Sequence, residues 1–381
     1  MFREFTKQED LHANYSTSAV EPETISKNGT NPKSHTCRGN LIKFRKGVYV
    51  MKKPLLLVLA LAVIASLAFV ACKKENGNNN GNGNNNGAGG NLITMTVTGE
   101  VRFEIAGTGT VTVNWGDGSA IETYTLSSTG VVCMHLYYDM TSRSVTIAGN
   151  TATVTSFSVN SLNGDITYLD VSKNTALTYL DCDCYGLTNL DVSKNTALTH
   201  LSCVAFLRNL DVSKNTKLTD LDCRDNDLTN LDVSKNTALT DLNCRDNDLT
   251  SLDVSKNTAL TYLDCSGNAL RNLDVSKNTK LTDLNCGDNE LTSLDVSKNT
   301  ALTHLECWYN ELTSLDVSKN TALTYLNCGS NELTGSALNT LFGTLHSNTI
   351  SGGKTIFIRD NPGTDDCNRS IAENKGWTVG W

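Results

Sequence analysis

Apolar and polar residues recur with a fixed long period over the second half of the chain. The unit reads L-T-x-L-x-C-x-x-N-x-L-T-x-L-D-V-S-K-N-T-x, and its Asp-Val-Ser-Lys-Asn segment occurs eight times, from Asp170 to Asp316. Successive copies lie 21, 20 and then five times 21 residues apart. Such a period is typical of a stacked repeat array, in which each unit buries its apolar face only against its neighbours. We therefore expect a solenoid over 164–334.

Each unit predicts one short strand and no helix. Leucine at positions 1 and 4 and cysteine at position 6 should point inward, with successive strands about 4.8 Å apart in a parallel sheet. The Asp-Val-Ser-Lys-Asn half is too short and too β-branched for a helix, so the convex side should be extended or turn-like. At position 9 a side-chain amide can satisfy backbone groups of the bend between coils. This position is asparagine in six units: Asn226, Asn247, Asn268, Asn289, Asn310 and Asn331.

Both halves of the unit contain the pattern L-x-x-L-x-C/V-x-x-N, as in Leu260–Asn268 and Leu270–Asn278. This pattern resembles leucine-rich repeats, in particular the short 21-residue class with a core cysteine of internalin J-like proteins and Bacteroidetes surface lipoproteins. The resemblance implies a mainly β fold, with about eight coils and a parallel sheet on the concave face. It also implies adhesion to host cells or other bacteria.

The chain has 13 cysteines, and eight of them recur in step with the repeat at an inward position. Stacked strands keep such side chains parallel, whereas a disulfide needs them to turn toward each other and zinc needs convergent ligands. We expect these eight to act as small apolar core residues: Cys182, Cys203, Cys223, Cys244, Cys265, Cys286, Cys307 and Cys328. Cys133, Cys184 and Cys367 lie outside this row and receive no assignment.

Side chains that vary between units should mark the surface that is free of packing constraints. Positions 3, 5 and 7 leave the strand opposite the leucines and cysteine, so they should line the concave face. Trp308 and Tyr309 are the best candidates for dominant binding residues, because large amphipathic rings dominate such interfaces. A solvated face without a ligand is the alternative. The candidate ligand-binding residues are Tyr179, Asp220, Asp222, Arg224, Asp241, Arg245, Tyr262, Asp264, Asp283, His304, Glu306, Trp308, Tyr309 and Tyr325.

Two units depart from the pattern near the start of the array. Tyr185 replaces the position-9 asparagine in one unit. The segment Cys203–Leu207 is one residue short in the next, where Phe206 stands in place of the asparagine. Because first coils often cap a solenoid core, we interpret both units as the junction with the preceding domain.

Period-2 alternation over 92–163 predicts strands at 94–98, 101–105, 111–115 and 144–147 of a small antiparallel β-sandwich. The segment Trp115-Gly-Asp-Gly-Ser119 and the later His135-Leu-Tyr137 resemble the signature of PKD-like domains. That resemblance implies a spacer domain. Asp117 is expected to be a turn residue between two glycines, not a catalytic or metal-binding group.

The N-terminal region has the pattern of an exported lipoprotein. Lys52 and Lys53 precede an apolar run over 55–69, too short for a bilayer-spanning helix, so 51–72 is expected to be a signal peptide. Phe69-Val-Ala-Cys72 resembles a bacterial lipobox, which implies lipidation at Cys72; an uncleaved membrane anchor is the alternative. Residues 1–50 are then expected to lie upstream of the true translation start. Mass spectrometry of the mature N-terminus tests this expectation. The Asn/Gly-rich stretch 73–91 should be a flexible linker. We expect a lipid-anchored envelope protein, facing the exterior from the outer membrane.

Residues 335–381 should close the stack as an α/β cap. Ser336 can cap a helix that extends to Leu345, 355–358 reads as a last strand, and 370–375 as a second short helix. Its apolar residues are better explained by capping than by a ligand site.

The charge and the motif content of the chain argue against several classes of function. The net charge is −8, and the array 170–334 contains 24 acidic against 14 basic residues, a difference of −10, which argues against a nucleic-acid partner. No nucleophile beside a base and no phosphate loop is evident, so we expect no enzyme, no metal and no cofactor. The leading hypothesis is a surface lipoprotein that binds an extracellular protein or glycoprotein. The alternatives are a glycan- or mucin-binding accessory of nutrient uptake and a structural surface protein.

Overall fold

The structure is a computed structural model that describes residues 91–149, 152–160 and 165–380. The predicted signal peptide, the predicted lipidation site Cys72 and nearly all of the predicted linker lie outside these residues. Within them, neither helix is long and apolar enough to cross a membrane.

Eight strands precede the repeats: β1 (Asn91–Val97), β2 (Val101–Thr108), β3 (Thr110–Asn114), β4 (Glu122–Thr125), β5 (Val131–His135), β6 (Arg143–Ala148), β7 (Thr153–Asn160) and β8 (Ile166–Asp170). One sheet has the order β4-β3-β6-β1-β8, and β7-β2-β5 forms the end of a second. Phe103, Trp115 and Phe157 pack between them, with ring centroids 5.6–5.7 Å apart. The resemblance of this region to PKD-like domains stays a prediction.

The repeats supply eight three-residue parallel strands: β9 (Tyr179–Asp181), β10 (His200–Ser202), β11 (Asp220–Asp222), β12 (Asp241–Asn243), β13 (Tyr262–Asp264), β14 (Asp283–Asn285), β15 (His304–Glu306) and β16 (Tyr325–Asn327). They pair in register from one coil to the next. Strand β7 pairs with β9 in parallel, so the antiparallel strands β7, β2 and β5 continue the repeat sheet. The predicted mainly β fold with a leucine-rich repeat solenoid is confirmed.

The convex side is built from turns, and no helix occurs between Asp170 and Leu333. Each Asp-Val-Ser-Lys-Asn segment begins with an aspartate whose carboxylate accepts a hydrogen bond from the serine amide two residues on, 2.8 Å long from Ser255 to Asp253. This bond lowers the pKa of Asp253, with the nearby Lys256 acting in the same direction. The short segment therefore satisfies its own backbone as an Asx turn.

The core is one continuous row of leucine, valine and cysteine side chains. All eight cysteines of the row have zero exposure and form no disulfide, and Cys133 and Cys184 are also buried. Burial raises the pKa of the eight thiols of the row, for Cys286 from 9.0 to about 12. They therefore pack as neutral small groups at physiological pH.

Two asparagine ladders hold neighbouring coils together. Position-9 asparagines follow the predicted role: the Asn247 amide donates to the carbonyl of Cys223 in the preceding coil at 3.0 Å, while its oxygen accepts from Leu228 at 3.1 Å. A second ladder, not anticipated from the sequence, uses the asparagine that ends each Asp-Val-Ser-Lys-Asn segment. There Asn257 donates to Val233 and to Asn236 of the preceding coil at 3.0 and 2.9 Å.

The two atypical coils differ from the sequence interpretation. Cys184, not Tyr185, takes the ladder position, since its thiol points to the Val159 carbonyl at 3.5 Å. In the short coil the Phe206 amide donates a hydrogen bond to the Leu187 carbonyl. In the next coil the Asp227 amide makes the equivalent bond to the Leu207 carbonyl, so Phe206 aligns with the residue that follows the asparagine. Ala205 fills the buried slot instead. Tyr185 and Phe206 are consequently exposed neighbours, 6.2 Å apart between ring centroids.

The C-terminal cap contains α1 (Gly335–Thr344), β17 (Thr355–Phe357), α2 (Ser370–Glu373) and β18 (Thr378–Gly380). Thr334, not Ser336, caps α1, and its hydroxyl accepts from the Ala337 amide at 3.2 Å. Strand β17 is not the last strand, because β18 pairs with it in parallel and extends the repeat sheet further.

Candidate protein-binding surface

The exposed face of the repeat sheet is lined by positions 3 and 5 of each coil. In β11 the central leucine is buried while Asp220 and Asp222 are partly exposed, and the same pattern holds in β12 and β14. The structure thus places the side chains of Asp220, Asp241 and Asp283 in consecutive or nearby strands of one face. The alternation of a three-residue strand is enough to produce this arrangement.

Aromatic residues lie toward both ends of this face. Tyr179 and His200 stack on neighbouring strands with ring centroids 4.5 Å apart. Near the other end, His304 stacks on Tyr325 at 5.8 Å, and Tyr325 contacts Phe357 of the cap at 5.6 Å. Between these clusters the face is mainly acidic, with Tyr262 as an isolated ring that is 37% exposed.

Carboxylates on the face are partly desolvated. Burial raises the pKa of Asp222, and Arg224, whose guanidinium lies 3.6 Å from the carboxylate, opposes that shift. Burial likewise raises the pKa of Tyr262 to about 12, with the Asp264 charge adding to the effect. Desolvated acidic groups of this kind gain when a partner supplies positive charge.

Asp264 differs from the other predicted ligand-binding residues because it is only 6% exposed. One carboxylate oxygen accepts from the amide and hydroxyl of Ser266 at 3.0 and 2.6 Å, and the other accepts from Asn285 at 3.3 Å. Its role is to fix the bend after β13, so its assignment to a solvent-facing binding set was wrong.

The same sheet face continues beyond the repeats, which the sequence interpretation missed. Ser158 of β7 pairs in register with Asp181, Glu104 of β2 with Ser158, and Val132 of β5 with Glu104. Val132 is 49% exposed and Met134 59% exposed, so this end of the face is apolar. The available signal was that β5 has apolar residues at both alternating positions.

Tyr309 occupies a backbone position that disfavours it. Its φ is 50°, in the left-handed region, and equivalent residues of other coils include Asp225, Asp246 and Gly267, whose residue types tolerate that region better. The tyrosine is 57% exposed, so the core does not require its ring. A bulky residue at this position is destabilising by about 1–2 kcal/mol.

We expect Tyr309→Gly to be more stable than Tyr309→Ala by about 1 kcal/mol, because only glycine relieves the left-handed backbone. Urea unfolding of the two variants measures the difference. At Glu311, an exposed residue of the same coil with negative φ, the order should reverse, with alanine the more stable. A lower stability for Tyr309→Gly than for Tyr309→Ala would contradict the strain.

The described residues contain no group of three or more His, Cys, Asp or Glu side chains placed to hold a metal ion. Asp117 and His135 of the N-terminal region form a pair, 2.7 Å between Oδ2 and Nε2, with His135 stacked on Trp115 at 4.9 Å. Hydrogen bonds from Ser119 and His135 hold the pKa of Asp117 well below its usual range. This pair fastens the turn after Trp115 to β5.

The coils, the parallel sheet and the buried cysteine row define a leucine-rich repeat protein of the short, cysteine-containing type. The sequence matches no protein-family model and no curated protein. Among solved structures, the chain is similar to the functional domain of InlJ from Listeria monocytogenes, described as including a cysteine ladder, with 42% identity and a TM-score of 0.49. That match covers 56% of this chain and 46% of the InlJ domain, so the chain spans less than half of that structure's length.

Two more distant similarities involve other leucine-rich repeat structures. An internalin, InlF, from Listeria monocytogenes is 20% identical, with a TM-score of 0.38 over 61% of this chain and 90% of that one. The leucine-rich repeat domain of APL1B is also 20% identical, with a TM-score of 0.39 over 49% of this chain and 56% of that one. The predicted internalin-like repeats are confirmed by the coils themselves: their period, their in-register strands and their buried cysteines.

Proposed function

We propose that this chain is a non-catalytic surface protein whose concave face binds an extracellular protein partner. One observation carries the proposal. Inward positions are nearly invariant across eight coils, while the outward positions of the same strands change from coil to coil and remain accessible except at Ser202 and Asp264. A rigid sheet that presents varied side chains in fixed register suits recognition of another macromolecule.

The chemistry of the face favours a partner with positive charge. Asp220, Asp241 and Asp283 give it an acidic centre, and aromatic pairs at each end supply contact area with little conformational freedom to lose. The proposal includes adhesion to host cells or other bacteria, and a lipid anchor at Cys72 that holds the protein at the outer envelope surface. The resemblance of Phe69-Val-Ala-Cys72 to a lipobox supports the anchor.

A charge-reversal pair tests the face against the rest of the surface. The protein is immobilised and exposed to cell-surface and mucus extracts, and the retained proteins are identified. We expect Asp220→Lys combined with Asp241→Lys to reduce retention at least tenfold, because the acidic centre of the face becomes basic. The matched control is Glu311→Lys combined with Glu332→Lys, which changes net charge equally on exposed positions outside the strands.

Two treatments separate the alternatives. Retention of a protein partner should survive glycosidase treatment of the extract and weaken as salt is raised. Loss of retention after glycosidase treatment would favour the glycan-binding accessory of nutrient uptake. Equal retention by the two double variants would contradict binding at the concave face.

A further inference from the structure

A cleft lies at the side of the concave face, next to the ends of strands β12 to β15. Its volume is about 280 Å³. This is slightly below the range of sites for drug-sized ligands, so it suits a single side chain or a monosaccharide. Its lining includes Arg245, Asp246, Gly267, Asp288, Glu306 and Trp308.

The cleft exists because two adjacent coils have small residues where their neighbours have large ones. Position 7 is arginine at Arg245, then Ser266 and Gly287, then Trp308. The Trp308 indole lies over Gly287, so closely that a Cβ there would come within 2.5 Å of the ring. Gly267 has a φ of 65°, and a Cβ at that residue would collide with the Asp246 carboxylate. Glycine at 287 therefore lets the indole lie against its own coil, and Gly267 lines the space between Arg245 and the indole.

The walls have an excess of negative charge. Arg245 is already paired with Asp246, 3.1 Å between Nε and Oδ2. Asp288 and Glu306 enter no ion pair within the described parts of the chain, which leaves two carboxylates without a fixed cation. Burial raises the pKa of Glu306, and a hydrogen bond with the Trp308 side chain opposes that shift. The carboxylate is thus desolvated and bonded to the ring that forms the wall.

An indole face beside two unpaired carboxylates is the chemistry that binds an organic cation. The ring attracts a cation over its face, and the carboxylates accept hydrogen bonds from its N–H groups. A neutral sugar could also stack on Trp308, but it would not compensate the two negative charges. A planar guanidinium can do both at once.

We propose that this cleft takes an arginine or lysine side chain of the partner, with its cationic head between Trp308 and the carboxylates of Asp288 and Glu306. The proposal rests on the proposed function, since it specifies which part of the concave face receives a basic residue. It adds a requirement on the partner: at least one exposed basic side chain within its interface.

Small probes test the cleft without knowledge of the partner. The indole N–H signal of Trp308 is followed by NMR while the protein is titrated with N-acetyl-arginine amide. The same titration uses N-acetyl-citrulline amide, which has nearly the same shape but no charge, and methyl galactoside. We expect the arginine probe to bind with a Kd of about 1 mM, and citrulline at least tenfold more weakly. Equal binding of arginine and citrulline, binding of the galactoside alone, or no shift with any probe would overturn the proposal.

Isosteric variants assign the charge. Asp288→Asn and Glu306→Gln should each weaken the arginine probe by about threefold to tenfold. Glu311→Gln removes a charge from the same coil outside the cleft and should leave binding unchanged. Thermal unfolding of each variant verifies the fold. If these variants retain the extract partner as wild type does, while Asp220→Lys with Asp241→Lys loses it, the cleft proposal fails and the concave face stands.

Discussion

Asn289→Ala is expected to lower the free energy of unfolding by about 3 kcal/mol, and Asn278→Ala by only about 1 kcal/mol. The Asn289 amide donates to Cys265, Cys286 and Gly287 at 3.1–3.2 Å, and its oxygen accepts from the Leu270 amide at 3.0 Å. The three carbonyls each keep another donor when the side chain is removed. The buried Leu270 amide loses its partner, which adds the desolvation penalty of an unpaired donor.

Asn278 provides the matched comparison, because it is also buried and belongs to the neighbouring ladder. Its amide donates to Val254 and Asn257 at 3.0 and 2.9 Å, but its own oxygen has no partner. Both carbonyls also accept a backbone amide, so Asn278→Ala leaves no buried group unpaired. Urea unfolding of the two variants measures the difference. Equal losses of stability would contradict the distinction between the two ladders.

Much of the fold follows from the 21-residue period. Leucine and cysteine at the inward positions predict a water-free core inside the stacked coils. Asparagine at position 9 predicts a bend whose backbone groups form hydrogen bonds with its side chain. The second ladder could also have been predicted, since L-x-x-L-x-V-x-x-N repeats the formula of the first half with valine for cysteine. Asparagine in both halves thus donates to a carbonyl of the preceding coil.

The atypical coils could not be aligned from sequence alone. The residue that this 20-residue coil lacks could be missing anywhere between Cys203 and Leu207. Only the backbone hydrogen bonds show that Phe206 is equivalent to Asp227. The ladder role of Cys184 was similarly hidden, because a thiol there substitutes for an amide in a bond to a strand of the preceding domain.

The sequence pattern of one repeat unit was also not enough to predict which side chains the binding face exposes. The alternation of β13 indicates that Asp264 points outward, but its burial depends on Ser266 and on Asn285 from the next coil. The cleft depends on four successive coils, because it needs small residues in two of them and large residues on either side. Such features arise from neighbours 21 residues apart and appear only when the coils are stacked.

The second large effect is expected at alkaline pH, where the cysteine row should make the fold strongly pH-sensitive. Burial raises the pKa of Cys286 and of Cys328 from 9.0 to about 12. Between these values the thiol of the unfolded chain is ionised and that of the folded chain is not, so unfolding releases a proton. Stability is therefore fully present below pH 9 and falls as the pH rises toward 12, by about 1.4 kcal/mol per pH unit for each thiol.

Removal of two thiols isolates this contribution from tyrosine ionisation. In urea unfolding under reducing conditions between pH 9 and 10.5, Cys265→Ala combined with Cys286→Ala should reduce the loss of stability by about 2.7 kcal/mol per pH unit. Val254→Ala, a fully buried change without a titrating group, should lower stability but leave the pH slope as in wild type. Neighbouring coils unfold together, so the change in pH slope comes from the thiols of those coils that unfold in the same step. An unchanged slope in the double cysteine variant would mean that these thiols reach solvent in the folded protein, which is incompatible with a dry cysteine row.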